Sequence, residues 1–157
     1  MMVEIGTEWT VCDFIPVYRE SESSFAIEPP SNEGVSSALV NDLQLEVDED
    51  GVVLYAWGLF PHPSTWQPTV FSPPIARRRR MRIVVSDGWT PGVSRRLNAN
   101  RWSTFVNTAS GWVCLGDPEA SQNVVAVEFA PNSVAVVEKG VVVAIWLRPR
   151  TIPKADS

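Results

Sequence analysis

The stretch NVVAVEFAPNSVAVVEKGVVVAIWL, residues 123–147, constrains the fold more than any other part of the chain. Three valine-rich runs, 123–130, 133–138 and 140–147, are separated only by Pro131–Asn132 and Lys139–Gly140. β-branched side chains fit a pleated surface, and two-residue turn signals leave no room for helices between the runs. The segment therefore predicts a three-stranded antiparallel meander. In its last run strict alternation puts Val141, Val143, Ile145 and Leu147 on one face and Val142, Ala144 and Trp146 on the other. Both faces are apolar, which predicts a central strand covered on both sides.

The same pattern recurs upstream. LQLEV (43–47) and GVVLYAWGL (51–59) flank the acidic turn Asp48–Glu49–Asp50 as a second hairpin. MRIVVSD (81–87) reads as a strand ended by the turn DGWTPG, and RWSTFVN (101–107) with GWVCLG (111–116) reads as a third hairpin. EWTVCDFI (8–15) and SSFAIE (23–28) carry weaker strand patterns. One helix is predicted, over 32–43, with Asn32 as its cap and Val35, Ala38, Leu39 and Leu43 as its apolar stripe. Thirteen prolines and nine glycines in 157 residues suit many short elements joined by turns. The expected fold is mainly β: a single domain over 1–150 with a polar tail over 151–157. It is built as a partly closed antiparallel barrel or a two-sheet sandwich of about eight to ten short strands, with at most one or two short helices.

The start of the chain lacks the basic and apolar regions of a signal peptide, and its longest apolar run is too short to span a bilayer. The expectation is a cytoplasmic protein away from membranes, with Cys12 and Cys114 as packed, reduced thiols. Charge is divided unevenly. Residues 1–58 hold twelve acids and one arginine, a net of −11, whereas residues 59–157 hold six acids and twelve basic residues, a net of +6. Eight of the basic residues are arginines between Arg77 and Arg101.

Most reaction classes lack their residues. Nucleophilic catalysis usually needs a serine or cysteine beside a base, and the chain has one histidine, His62, set between Pro61 and Pro63 in GLFPHPSTWQP. One histidine and two cysteines a hundred residues apart do not make a zinc site. DEDG (48–51) lacks the alternating ligands of a calcium loop, and no phosphate loop is present. The expectation is no catalytic residue, no metal and no cofactor. Paired carboxylates stay open, with Glu128 and Glu138 as the acids inside the meander.

Two features remain. Arg78, Arg80 and Arg82 would share one face of a strand and offer a possible anion-binding track, although a pI of about 4.9 opposes nucleic-acid binding. The alternative is that these arginines meet the acids of the first half across the sheet or at its rim. The second feature combines Glu46, Asp48, Glu49 and Asp50 with the aromatic loop bearing Trp57, Phe60, His62 and Trp66, whose rings either anchor a partner or plug the core. Together they predict a small non-enzymatic protein that binds a protein partner, basic in character. Acidic inhibitors of the immunity-protein kind, which neutralise basic toxins or enzymes, work by this physics. The alternative is a small-molecule-binding barrel, or a hydrolase with a carboxylate site in its mouth.

Overall fold

The computed structural model describes residues 2–7, 13–120 and 123–152. It is a two-sheet sandwich rather than a barrel, with a small ribbon joining the sheets at one end. Sixteen strands are found among the described residues, more than the eight to ten expected; four of them have only two or three residues, and β4 replaces the predicted helix. In chain order they are β1 (Met2–Ile5), β2 (Ile15–Arg19), β3 (Ser24–Glu28), β4 (Ser36–Val40), β5 (Leu43–Val47) and β6 (Val53–Leu59). Then come β7 (Gln67–Pro68), β8 (Arg77–Arg78), β9 (Met81–Val84), β10 (Arg95–Arg96), β11 (Thr104–Asn107) and β12 (Trp112–Gly116). The last four are β13 (Val124–Ala130), β14 (Ser133–Glu138), β15 (Val141–Leu147) and β16 (Arg150–Ile152). Single 3-10 turns at Glu20–Glu22 and Pro63–Thr65 are the helical pieces.

The first sheet runs β10-β4-β5-β6-β3-β2-β16 and the second β7-β11-β12-β15-β14-β13-β8. Their facing sides share one apolar core. Phe25, Leu43, Leu45 and Phe60 from the first sheet's side meet Leu115, Phe129, Ile145 and Leu147 from the second. The two-stranded β1–β9 ribbon closes one end of this core with Val3, Met81 and Ile83. Its backbone is tied to both sheets, Val3 N donating to Gly140 O at 2.8 Å and Ile83 N to Gly51 O at 2.9 Å.

The meander forms as read, and β15 is central, between β12 and β14. Its alternation is broken by a bulge. Val137 pairs with Val142 and Val136 with Ala144, so Val143 is an extra residue. Val142 therefore joins Ile145 and Leu147 in the main core, and Val143 joins Ala144 and Trp146 in a second apolar cluster on the sheet's far side. The other large departure is the predicted helix over 32–43. That stretch is β4 and the start of β5, joined by the two-residue turn Asn41–Asp42. Asn41 adopts a left-handed φ of 53°, which asparagine tolerates better than most residues. Serines at 36 and 37 and a glycine at 34 weaken a helix, and the β5–β6 hairpin beside them supplies a ladder for β4 instead.

The predicted tail begins as a strand, since Arg150–Ile152 lie parallel to β2. Cys114 is a free, buried thiol, and burial pushes its pKa far up; Cys12 lies outside the described residues, as does most of the 8–15 strand pattern. Among the described residues no helix is long and apolar enough to cross a membrane.

One connection is unusual. β7 and β8 sit at opposite edges of the second sheet, so residues 69–76 must travel its whole width. Six strand spacings need about 29 Å, and the nine Cα steps from Pro68 to Arg77 reach at most about 30–32 Å. The strap is thus close to fully extended. Pro73 and Pro74 suit that shape, Ala76 packs on the outer cluster, and Asn107 Nδ2 donates to Phe71 O at 2.9 Å to hold it down.

Candidate functional site

Alternation along β5 sends Leu43, Leu45 and Val47 into the core and leaves Gln44 and Glu46 on the outer face of the first sheet. The β5–β6 register sets Glu46 opposite Tyr55 and Gln44 opposite Trp57. Glu46 and Trp57 are diagonal neighbours, close enough for their side chains to meet. Trp57 Nε1 donates to Glu46 Oε1 at 2.9 Å. The other side of the carboxylate rests against Gly34. A β-carbon at that position would lie 2.4 Å from Glu46 Oε2, and the residue has φ +100°, so glycine is required twice over. Tyr55 OH donates to Glu33 O at 3.1 Å, which fastens the 31–33 loop alongside, and Phe14 packs edge-on against the Tyr55 ring at 5.2 Å.

The result is a groove of about 350 Å³ whose walls include Glu46, Trp57, Tyr55, Arg19, Pro30 and Glu33. Burial raises the Glu46 carboxyl above its ordinary pKa, and the hydrogen bond from Trp57 offsets only part of that effect. Burial and the negative charge of Glu46 also hold the Tyr55 phenol above its ordinary value. Arg19 Nη1 lies 3.9 Å from Glu22. Among the described residues Glu46 takes part in no ion pair, so a half-buried, unpaired carboxylate faces the groove while Arg19 in its wall lies toward Glu22.

The other predicted acids stand elsewhere. Asp48 Oδ1 accepts from Asp50 N at 2.9 Å and Val52 N at 3.0 Å, so this side chain shapes the β5–β6 turn. Glu49 and Asp50 are exposed at the hairpin tip.

The aromatic loop divides. Phe60 is 4% exposed and packs against Phe25, Trp66 and Tyr18 with ring centroids 4.9, 5.9 and 6.3 Å away. An anchor must be reachable, so Phe60 leaves the predicted partner-binding set and joins the core. Trp66 is half-buried in the same cluster, its Nε1 donating to Pro61 O at 2.9 Å. Trp57, 37% exposed, and Phe71, 42% exposed on the strap, are the rings presented outward. His62 is exposed and caps the 3-10 turn after it. Its Nδ1 accepts from Ser64 N at 3.1 Å, with Ser64 Oγ 2.9 Å away, while Glu20 Oε1 is 3.9 Å from Nε2. A histidine, a serine and a glutamate do gather here, but the imidazole is engaged in closing its own turn.

Arg78, Arg80 and Arg82 do not share a strand: β8 ends at Arg78 and β9 begins at Met81. Arg78 pairs with Glu128 at 2.9 Å and Arg82 with Glu4, its Nε donating at 3.2 Å; Arg80 is exposed in the link between the strands. Beyond this run, Arg95 pairs with Asp87 at 2.7 Å, Arg101 with Asp42 at 3.4 Å and Arg150 with Glu28. The Glu4, Asp42 and Glu28 pairs join the acidic first half to the basic second half.

A wider hollow of about 740 Å³ lies beside the strap on the second sheet's outer side, walled by Phe71, Trp102, Phe105, Arg101 and Asp117. Its arginine already has Asp42 and its acids Asp117 and Glu119 are exposed, whereas Glu46 is half-buried, which makes the smaller groove the better candidate. Sequence reasoning found Glu46 and Trp57 but missed Tyr55, Glu33 and Gly34. The hairpin register would have yielded Tyr55, whereas the contact at Gly34 depends on how a loop folds back. Among the described residues no three His, Cys, Asp or Glu side chains gather as metal ligands. No protein-family model matches the chain, and no curated protein matches it either.

Proposed function

We propose that this chain is a binding protein that docks a basic protein partner on the outer face of its first sheet. The Glu46–Trp57 groove forms the centre of the contact, and Glu49 and Asp50 add negative charge at the neighbouring hairpin tip. One observation carries the reading: among the described residues a half-buried carboxylate, fixed by a presented tryptophan, takes part in no ion pair. Holding such a charge is costly unless something neutralises it, and a partner's basic group would do so on binding. A tryptophan at the centre of an interface is a common source of binding energy. Surrounding negative charge speeds the encounter with a basic surface. An acidic inhibitor that neutralises a basic toxin or enzyme, in the manner of an immunity protein, fits these traits. The cytoplasm suits the free thiol of Cys114.

The test is affinity capture from host lysate with the wild-type protein and, in parallel, with Glu46→Gln. A protein retained by the wild type and lost by the variant is then purified and rebound in isolation. Its association rate should fall as salt rises. A partner held equally by the variant, or no specific partner at all, refutes the reading.

A further inference from the structure

We propose that the Glu46–Trp57 groove is the seat for a single arginine side chain of that partner, and that it selects guanidinium over ammonium. The inference rests on the docking reading above and names the group that fills the site. Trp57 Nε1 occupies one position on Glu46 Oε1, which fixes the carboxylate beside the indole and leaves the lone pairs not turned toward Gly34 for a ligand. The indole, 37% exposed, lies in the groove wall beside that carboxylate. A guanidinium group is planar, so it can stack on an aromatic ring while its N–H fork meets a carboxylate. An ammonium presents a compact charge with a tighter hydration shell, which it would have to shed in a half-buried groove. A volume of about 350 Å³ suits one long side chain and excludes a folded segment.

The charges facing the groove are mixed. Glu33 stands with Glu46, and Arg19 opposes an incoming cation. Among the described residues Arg19 is the basic group in the groove wall able to compete for the seat, but its guanidinium lies 3.9 Å from Glu22. The proposal therefore requires Glu46 to be open in the free protein and Arg19 to weaken binding.

The experiment follows the tryptophan indole N–H signals of the 15N-labelled full chain during titration with N-acetyl-arginine-methylamide. Matched titrations use the lysine and citrulline amides at equal ionic strength. The Trp57 signal is identified by its absence in Trp57→Phe. It should shift saturably with the arginine amide, at least about threefold more tightly than with the lysine amide, and not respond to citrulline. Glu46→Gln should weaken this binding about tenfold or more, Arg19→Ala should strengthen it, and the remote control Glu138→Gln should leave it unchanged. Equal affinity for lysine, indifference to Glu46, or no Trp57 shift overturns the proposal. Loss of binding in Arg19→Ala does the same. A partner captured through Glu46 without any arginine response would leave docking standing and remove the arginine seat. An arginine response with no protein partner would do the reverse.

Discussion

Replacing Phe60 by alanine tests most directly whether the aromatic loop is core or surface. The ring is 4% exposed and meets three other rings, the nearest being Phe25 at 4.9 Å and nearly perpendicular. Truncating a buried phenylalanine costs about 3–5 kcal/mol through lost transfer energy and the cavity left behind. Edge-on ring contacts, worth about 0.5–1.5 kcal/mol each, push this site toward the upper half of that range. Against a typical total of about 5–15 kcal/mol, such a loss removes from about a third to nearly all of the stability. In a chain of this length each kcal/mol moves the midpoint by about 2–4 °C, so Phe60→Ala should melt roughly 6–20 °C below the wild type. Phe71→Ala, on the exposed strap, should cost less than about 1 kcal/mol. Urea unfolding followed by circular dichroism gives both values on one scale. If Phe60→Ala loses no more than Phe71→Ala, the ring is not the core residue described.

Glu46→Gln should stabilise the protein at neutral pH. The folded state raises this carboxyl above its ordinary value of 4.5, so wild-type stability falls as pH climbs from 4.5 through the folded pKa. The variant lacks that slope, and pH-dependent thermal melts read the difference; a loss of stability in the variant would mean that an internal cation occupies the groove. Asn41→Ala should cost about 2–4 kcal/mol, because its amide accepts from Asn98 Nδ2 and Trp102 N and donates to Trp102 O. Asn41→Gly, which keeps the positive φ at less strain, should cost less in the same denaturation assay. Glu49→Gln with Asp50→Asn should change stability by within about 0.5 kcal/mol yet slow association with the partner, an effect that shrinks with salt in stopped-flow measurements. His62→Ala should cost at most about 1 kcal/mol, since it removes one exposed cap.

What could be read from the chain depended on how locally each element was specified. The 123–147 meander was legible because every residue in it agrees with its neighbours about being strand. Even there the bulge at Val143 escaped, since an extra residue in an all-apolar run leaves no polar marker of which face it takes. The 32–43 stretch was misread because a few apolar residues at helical spacing also fit a short strand, and only the waiting edge of β5 decides between them. β7, β8, β10 and β16 were invisible, because two or three residues carry no period. Arginine pairing was foreseen in kind, with Arg82 to Glu4 and Arg101 to Asp42 crossing between halves. The partner of each was not, as register between distant segments is fixed only by the assembled sheets.

Those short strands also indicate where a partner can land. Among the described residues the edges of the two large sheets are β10, β16, β7 and β8, each two or three residues long and each parallel to its neighbour. Three of them carry arginine and the fourth carries Pro68. Short, charged or proline-bearing edges resist the addition of a further strand. Arg77 and Arg78 on β8 and Arg95 and Arg96 on β10 thus serve as edge protection, with Arg78 tied to Glu128 and Arg95 to Asp87. Docking by strand addition is disfavoured at each of these four edges of the two large sheets, which turns attention to their faces. The strap from Thr69 to Ala76 crosses one outer face, over the cluster around Trp146. The other outer face bears Trp57 and the carboxylate of Glu46, which has no ion pair among the described residues, so the proposed docking falls on that face.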